Sequence, residues 1–172
     1  MSYQYASYCR NRDERASLNE EATDRILCEH FGISKEELVV HSGDIDDFRG
    51  ADRTLPCGST IQKKNVECYA PAPHLSNTVT VPCKNYHQEY NDNDIDWLLH
   101  SYYNKSDPTG VRQYVLVKFS VLKELFDERR KRRNAKTGTD FYFWPYSPDY
   151  RLKSNEGDPI NLLERCECYK LP

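Results

Sequence analysis

Nowhere in this chain does an apolar run approach the roughly 18 residues that a membrane-crossing helix requires. The N-terminus, MSYQYASYCRNRDER, also lacks the apolar centre of a secretory signal peptide. Both absences exclude membrane and secretory classes and lead us to expect a soluble, cytoplasmic protein. There is no Cys-x2-Cys pair, so the commonest zinc-ligand spacing is missing. The seven cysteines (Cys9, Cys28, Cys57, Cys68, Cys83, Cys166, Cys168) form an odd set outside any secretory context, which favours reduced thiols over a disulfide framework. No internal repeat or low-complexity linker divides the 172 residues, which are read as a single domain. A net charge of −3 carries no global signal for nucleic acid.

What is present is enough apolar material for a core: 38% hydrophobic residues and 12% aromatics, including thirteen tyrosines. The charge is unevenly spread. Eleven carboxylates lie between Asp13 and Asp47, whereas ERRKRRNAK near residue 130 is strongly basic. An acidic pocket beside a basic rim is what metal-assisted phosphodiester chemistry requires.

Ser17-Leu18-Asn19-Glu20 has the form of a capping box, and Leu18, Ala22, Ile26 and Leu27 follow at helical spacing until Gly32. Ser34-Lys35-Glu36-Glu37 repeats the pattern before Leu-Val-Val, as a short helix or as a turn into a strand. GDIDDFRGADRTLPCGSTIQKKNVECY reads as two strands joined by a tight turn at Pro56-Cys57-Gly58. A proline-interrupted loop follows, with NTVTV as an edge strand. DIDWLLHSYY is expected to be a helix closed by Asp107-Pro108-Thr109-Gly110, and RQYVLVKF a strand. Ser120 should cap a further helix bearing Val121, Leu122, Leu125 and Phe126, and FYFWPY a late strand or packing segment. The expected class is mixed α/β, a central mixed sheet flanked by helices, with a core over about 17–127 and an aromatic and basic extension over 128–172.

In an extended strand alternate side chains share a face, so Gln62 and Lys64 project to one side while Ile61 faces the other. Asp52 lies ten residues before Gln62 on the preceding strand, and pairing across the turn brings its carboxylate toward them. A hard oxygen ligand such as Asp52 suits Mg²⁺ or Mn²⁺. A lysine beside it can orient or deprotonate a water and stabilise a pentacovalent phosphate.

GADRTL followed by TIQKK resembles the PD-(D/E)XK nuclease superfamily, whose motif places an Asp on one strand and a (D/E/Q)-x-K triplet on the next. The local form is most similar to the Mrr-type branch and related phage nucleases. The resemblance implies a restriction-endonuclease-like core (helix, three strands, helix, strand) and an intracellular, phage-encoded setting. It implies Asp52 and Gln62 as metal ligands, Lys64 as the catalytic lysine, and a glutamate on the preceding helix. Glu20 and Glu21 are both candidates for that glutamate, and Glu21 is preferred because the capping box uses Glu20. The implied activity is hydrolysis of DNA phosphodiester bonds. Because Gln62 stands where an acid is usual, the alternative is a catalytically inactive nuclease-like fold that binds nucleic acid or protein as an accessory or anti-defence factor.

Asp44, Asp46 and Asp47 form an acidic turn, from which Asp47 is kept as a further metal ligand. Arg129, Arg130, Lys131, Arg132 and Arg133, read as a helix end, are candidates for contacting DNA phosphates. Tyr142, Trp144 and Tyr146 alternate on the late strand and read as core rather than as base-stacking groups. Oligomeric state has no signature, but a paired double-strand cut needs two sites and hence a homodimer. The cysteines with His87 read as buried thiols rather than a zinc module.

Overall fold

A long helix opens the chain, α1 (Tyr3–Phe31), in a computed structural model that describes residues 3–41, 51–68, 78–87, 95–135, 137–146 and 160–171. The helix begins well before the expected cap at Ser17, because residues 3–16 contain no proline or glycine to interrupt it. It stops where expected. Gly32 takes φ +64° and Ile33 N–H donates to Cys28 C=O at 3.0 Å, the Schellman closure that a left-handed glycine permits.

A 3₁₀ turn (Lys35–Glu37) leads into β1 (Val39–Val40), so the second capping pattern resolves as a turn into a strand, with Ser34 N–H donating to the Glu37 carboxylate at 2.8 Å. The hairpin forms as read, β2 (Arg53–Thr54) against β3 (Thr60–Cys68). The NTVTV segment becomes β4 (Thr78–Pro82), followed by one helical turn, α2 (Cys83–Asn85).

The expected helix over DIDWLLHSYY is instead β5 (Trp97–Asn104). Its six inner residues are all buried, because the strand lies between two neighbours with both faces covered. A near-continuous apolar run of this kind suits a central strand, and its acidic start imitates a helix N-terminus. Then come β6 (Gln113–Lys118) and α3 (Phe119–Glu124), whose N-cap is Lys118 rather than Ser120. The basic stretch, expected at a helix end, is the strand β7 (Arg130–Arg133). It pairs with β8 (Asp140–Pro145), and β9 (Cys168–Lys170) closes the chain.

The fold is thus mixed α/β with two sheets. Sheet A has the order β1-β2-β3-β5-β6-β9, antiparallel except for the parallel pair β3 and β5. Sheet B has the order β4-β8-β7, all antiparallel. The C-terminal segments are woven into both sheets, since β9 pairs with β6 and β8 with β4.

One face of sheet A is covered by α1, where Leu27 packs with Ile61, Leu99, Leu116, Leu38 and Leu55. Against the other face pack sheet B and α3, not a layer of long helices alone. Leu98, Val115 and Val117 join Val79, Val81, Trp144, Phe119 and Leu122 in the larger core. Tyr142, Trp144 and Tyr146 are core residues, and their polar ends are satisfied inside: Trp144 Nε1 donates to Leu125 C=O at 3.1 Å and Tyr146 Oη accepts from Gln113 at 2.8 Å. Side-chain contacts stitch β4 to sheet A: Thr80 Oγ1 lies 3.0 Å from His100 Nε2, and Tyr102 Oη donates to Thr78 C=O at 2.8 Å and lies 3.2 Å from Thr78 Oγ1. Among the described residues no helix is long and apolar enough to cross a membrane.

Candidate active site

The β2–β3 turn is closed by Gly58 N–H to Leu55 C=O at 2.8 Å and by Leu55 N–H to Ser59 C=O at 2.9 Å, with Gly58 at φ +89°. This conformation, strained for any residue with a Cβ, sets the register Arg53↔Ile61 and Thr54↔Thr60. One residue further back, Asp52 N–H donates to Ile61 C=O at 2.9 Å. Its carboxylate Oδ2 accepts the Lys63 backbone N–H at 2.6 Å. Asp52 is therefore held by main chain and side chain against the strand that carries Gln62 and Lys64.

Pleating separates the two lysines. Lys64 pairs with His100 and Gln62 with Leu98 in the parallel ladder, so these four share the sheet A face that meets sheet B. The Lys64 ammonium lies 5.2 Å from the Phe141 ring centroid, and burial pushes its pKa down to about 8. His100 is buried, and its pKa is pushed down to about 3 by burial first and by the Lys64 charge second. It is a neutral imidazole at ordinary pH. Among the described residues neither its Nδ1 nor the Gln62 Oε1, both buried, has a hydrogen-bond partner, while Gln62 Nε2 donates to Lys63 C=O at 3.2 Å.

On the opposite face Lys63 and Arg53 meet two helix carboxylates. Lys63 Nζ donates to Asp24 Oδ1 and Glu20 Oε2, each at 2.7 Å. Arg53 Nε donates to Asp24 Oδ1 at 2.8 Å and its Nη2 to Glu20 Oε2 at 2.7 Å. Asn65 Nδ2 completes the set on Glu20 Oε1 at 2.8 Å. Two carboxylates and two cations balance, and Lys63 is only 1% exposed at its side chain. This cluster joins α1 to the sheet.

Glu21, the preferred helix glutamate, does not reach the sheet. Its side chain is exposed, with Lys35 4.0 Å away, and the inward residue is Glu20. The preference for Glu21 assumed that Glu20 was used at a helix start; Ser17 is mid-helix, so that constraint does not exist. The sequence reading missed Asp24, Arg53 and Lys63. A signal was present: Glu20 and Asp24 are four apart and therefore share a helix face. Asp44, Asp46 and Asp47 lie outside the described residues.

As a strand, the basic run alternates. Arg129, just before it, stacks on Phe126 at 3.5 Å and Tyr142 at 4.7 Å, and donates to Phe126 C=O at 2.7 Å, so it packs rather than reaching outward. Arg130 donates to Glu128 C=O at 2.7 Å, and Lys131 pairs with Asp140 at 3.3 Å. Arg132 lies over the Phe143 ring at 4.8 Å, and with Arg133 it lines a cleft on the face of sheet B that bears Phe141 and Phe143.

Cys28, Cys57, Cys83, Cys166 and Cys168 are free thiols, and burial pushes Cys166 up to about 11, which keeps it protonated and a poor metal ligand. Among the described residues no group of three His, Cys, Asp or Glu is placed to hold a metal. No protein-family model matches the chain, and no curated protein is significantly similar to it.

Proposed function

We propose that this chain is a divalent-metal-dependent deoxyribonuclease whose active site is Asp52, Gln62 and Lys64. The observation that carries this reading is the 2.6 Å bond between the Asp52 carboxylate and the Lys63 N–H, which sets the aspartate of one strand beside the Gln-x-Lys triplet of the next. The order of elements also supports it: a helix, the antiparallel run β1-β2-β3, and β5 parallel to β3. Among the described residues, the connection from β3 to β5 carries β4 and one helical turn where the superfamily has a helix.

The donor set fits Mg²⁺ or Mn²⁺. The Asp52 carboxylate and the Gln62 Oε1, which has no partner among the described residues, are hard oxygens, and such ions are commonly held by one or two protein carboxylates together with water and substrate phosphates. When bound, the ion neutralises charge on the phosphodiester and makes a water more acidic. Lys64 supplies the protein's own chemistry. With a pKa near 8, a substantial fraction of its amine is neutral at mildly alkaline pH. The neutral amine accepts the proton of the attacking water as the O–P bond forms and the bond to the leaving oxygen breaks. DNA is the partner on this reading, and a paired cut takes two copies of the site, hence a homodimer.

Plasmid, linear, branched and single-stranded DNA incubated with the purified protein and Mg²⁺ or Mn²⁺ test this. Cleavage that Lys64→Ala abolishes is expected; intact DNA throughout, or an equally active Lys64→Ala protein, sinks the reading.

One observation favours a second reading, a non-catalytic nucleic-acid-binding relative. Glu20 and Asp24 are both engaged with Arg53 and Lys63 on the far side of β3, so neither carboxylate assists Asp52. Titration calorimetry that finds no Mg²⁺ or Mn²⁺ binding, beside a salt-sensitive DNA interaction, selects it.

A further inference from the structure

The face of sheet B that bears Phe141 and Phe143 has a composition that the catalytic reading does not use. In the sheet B register, Thr80 pairs with Phe143 and Pro82 with Phe141, while Arg130 and Arg132 lie opposite those two phenylalanines on β7. These side chains share one face; the other, bearing Val79, Val81, Tyr142 and Trp144, is the core. On the first of these faces Phe141 is part-exposed, whereas Phe143 is buried at 3% exposure beside Thr80, whose hydroxyl meets His100. On this face lies a cleft of about 230 Å³ lined by Thr80, Phe141, Phe143, Arg132 and Arg133 among others, with no carboxylate among its described lining residues.

Each ring has a cation over it. Arg132 lies 4.8 Å from the Phe143 centroid and the Lys64 amine 5.2 Å from that of Phe141. Arg133, which is exposed, stands at the rim. Recessed aromatic surface, a guanidinium plane and a cationic rim are the parts with which proteins hold unpaired bases along a phosphate backbone. The volume lies below the roughly 300 Å³ at which drug-sized pockets begin, so it suits one planar ring rather than a whole cofactor. A base inside a duplex has both faces covered by its stacked neighbours, so only a single strand can offer one to Phe141.

We propose that this cleft binds an unpaired base of a single-stranded nucleic acid against Phe141 and Arg132, with Arg133 on the adjoining phosphate, and so delivers the strand toward Lys64. The proposal rests on the nuclease reading for what happens at Lys64 and names single-stranded nucleic acid as the substrate class.

The test is fluorescence anisotropy of labelled single-stranded DNA, single-stranded RNA and a hairpin duplex of equal charge, in EDTA, with cleavage measured separately in Mg²⁺. The intact chain should bind at least one of the single strands about tenfold more tightly than the duplex. Phe141→Leu, which keeps bulk but removes the π-face, should lose roughly tenfold. Arg133→Gln should lower the salt slope by about one. Circular dichroism checks folding, and if Phe141→Leu misfolds, Arg132→Gln and Arg133→Gln on the outer strand carry the comparison. Equal binding of the duplex, competition by polyglutamate as effective as by oligonucleotide, or unchanged single-strand binding in all folded variants overturns the proposal. DNA cleavage that survives those variants unchanged leaves the nuclease reading standing and removes this one. Selective single-strand binding lost in Phe141→Leu, without cleavage by any protein, supports this site and removes the nuclease reading.

Discussion

The Lys63 ammonium lies 2.7 Å from the Asp24 carboxylate, with 1% of the lysine side chain and 9% of the aspartate side chain exposed. A buried ion pair of this kind gains little over an apolar pair of the same shape, but removing one partner strands the other charge in a poorly solvated place. Lys63→Ala should therefore lower stability by about 3–5 kcal/mol. The shape-conserving double variant Lys63→Met with Asp24→Leu should lose much less than the two single variants summed. Urea unfolding of the four proteins measures both, and simple additivity would show that the pair is not coupled.

Asp52 has separable structural and chemical roles. Its carboxylate accepts the Lys63 N–H at 2.6 Å, a hydrogen bond to a charged acceptor of a class worth about 1.5–3 kcal/mol. Asp52→Ala should cost that amount in a denaturation experiment. Asp52→Asn retains an acceptor oxygen and should recover most of the stability, yet both variants should lose metal-dependent cleavage, since an amide holds a divalent cation weakly. An Asn variant that cuts at the parental rate would remove Asp52 from the metal site.

Lys64 makes a prediction about pH. Its pKa in the folded chain is about 8, lowered by burial from an ordinary 10.5, so the neutral amine dominates above pH 8. Cleavage rates should rise with pH and level off above an apparent pKa near 8, while Lys64→Met should leave only a flat residual rate. The linkage runs the same way for stability. Between about pH 8 and 10.5 the unfolded chain binds the proton that the folded chain has released, so stability from this group rises with pH across that window. A rate that falls on going from pH 7 to 9 would mean that Lys64 acts as an ammonium.

His100 predicts sensitivity to acid. Burial, followed by the Lys64 charge, holds its pKa near 3 in the folded chain against an ordinary 6.5. As pH falls from about 6.5 toward 3, the unfolded chain takes up a proton that the folded chain refuses, and stability drops with a limiting slope of roughly 1.4 kcal/mol per pH unit. His100→Gln can still bond to Thr80 and does not titrate. Its urea midpoint should depend less on pH between 7 and 5 than the parent's, and an unchanged dependence would assign the acid lability elsewhere.

Much of the local structure was legible in the residues themselves. Gly32 marked the end of α1, Pro56-Cys57-Gly58 marked the hairpin, and strand alternation placed Gln62 with Lys64 and apart from Ile61. Each depends on backbone sterics or on the two-residue pleat, which act between near neighbours. The β5 segment was misread because its apolar run fits a helix or a doubly covered strand equally well, and only the presence of β3 and β6 on either side decides.

Tertiary structure alone decided what met what. That Lys63 faces Glu20 and Asp24 while Lys64 faces Phe141 and His100 follows from α1 lying on one side of sheet A and sheet B on the other. By itself the sequence determined that adjacent lysines on β3 must point in opposite directions, because a strand allows nothing else. Only packing across long chain separations could make one of them part of a buried ion cluster and leave the other beside Phe141 with its pKa near 8, since solvent exclusion and neighbouring charge are properties of the assembled layers.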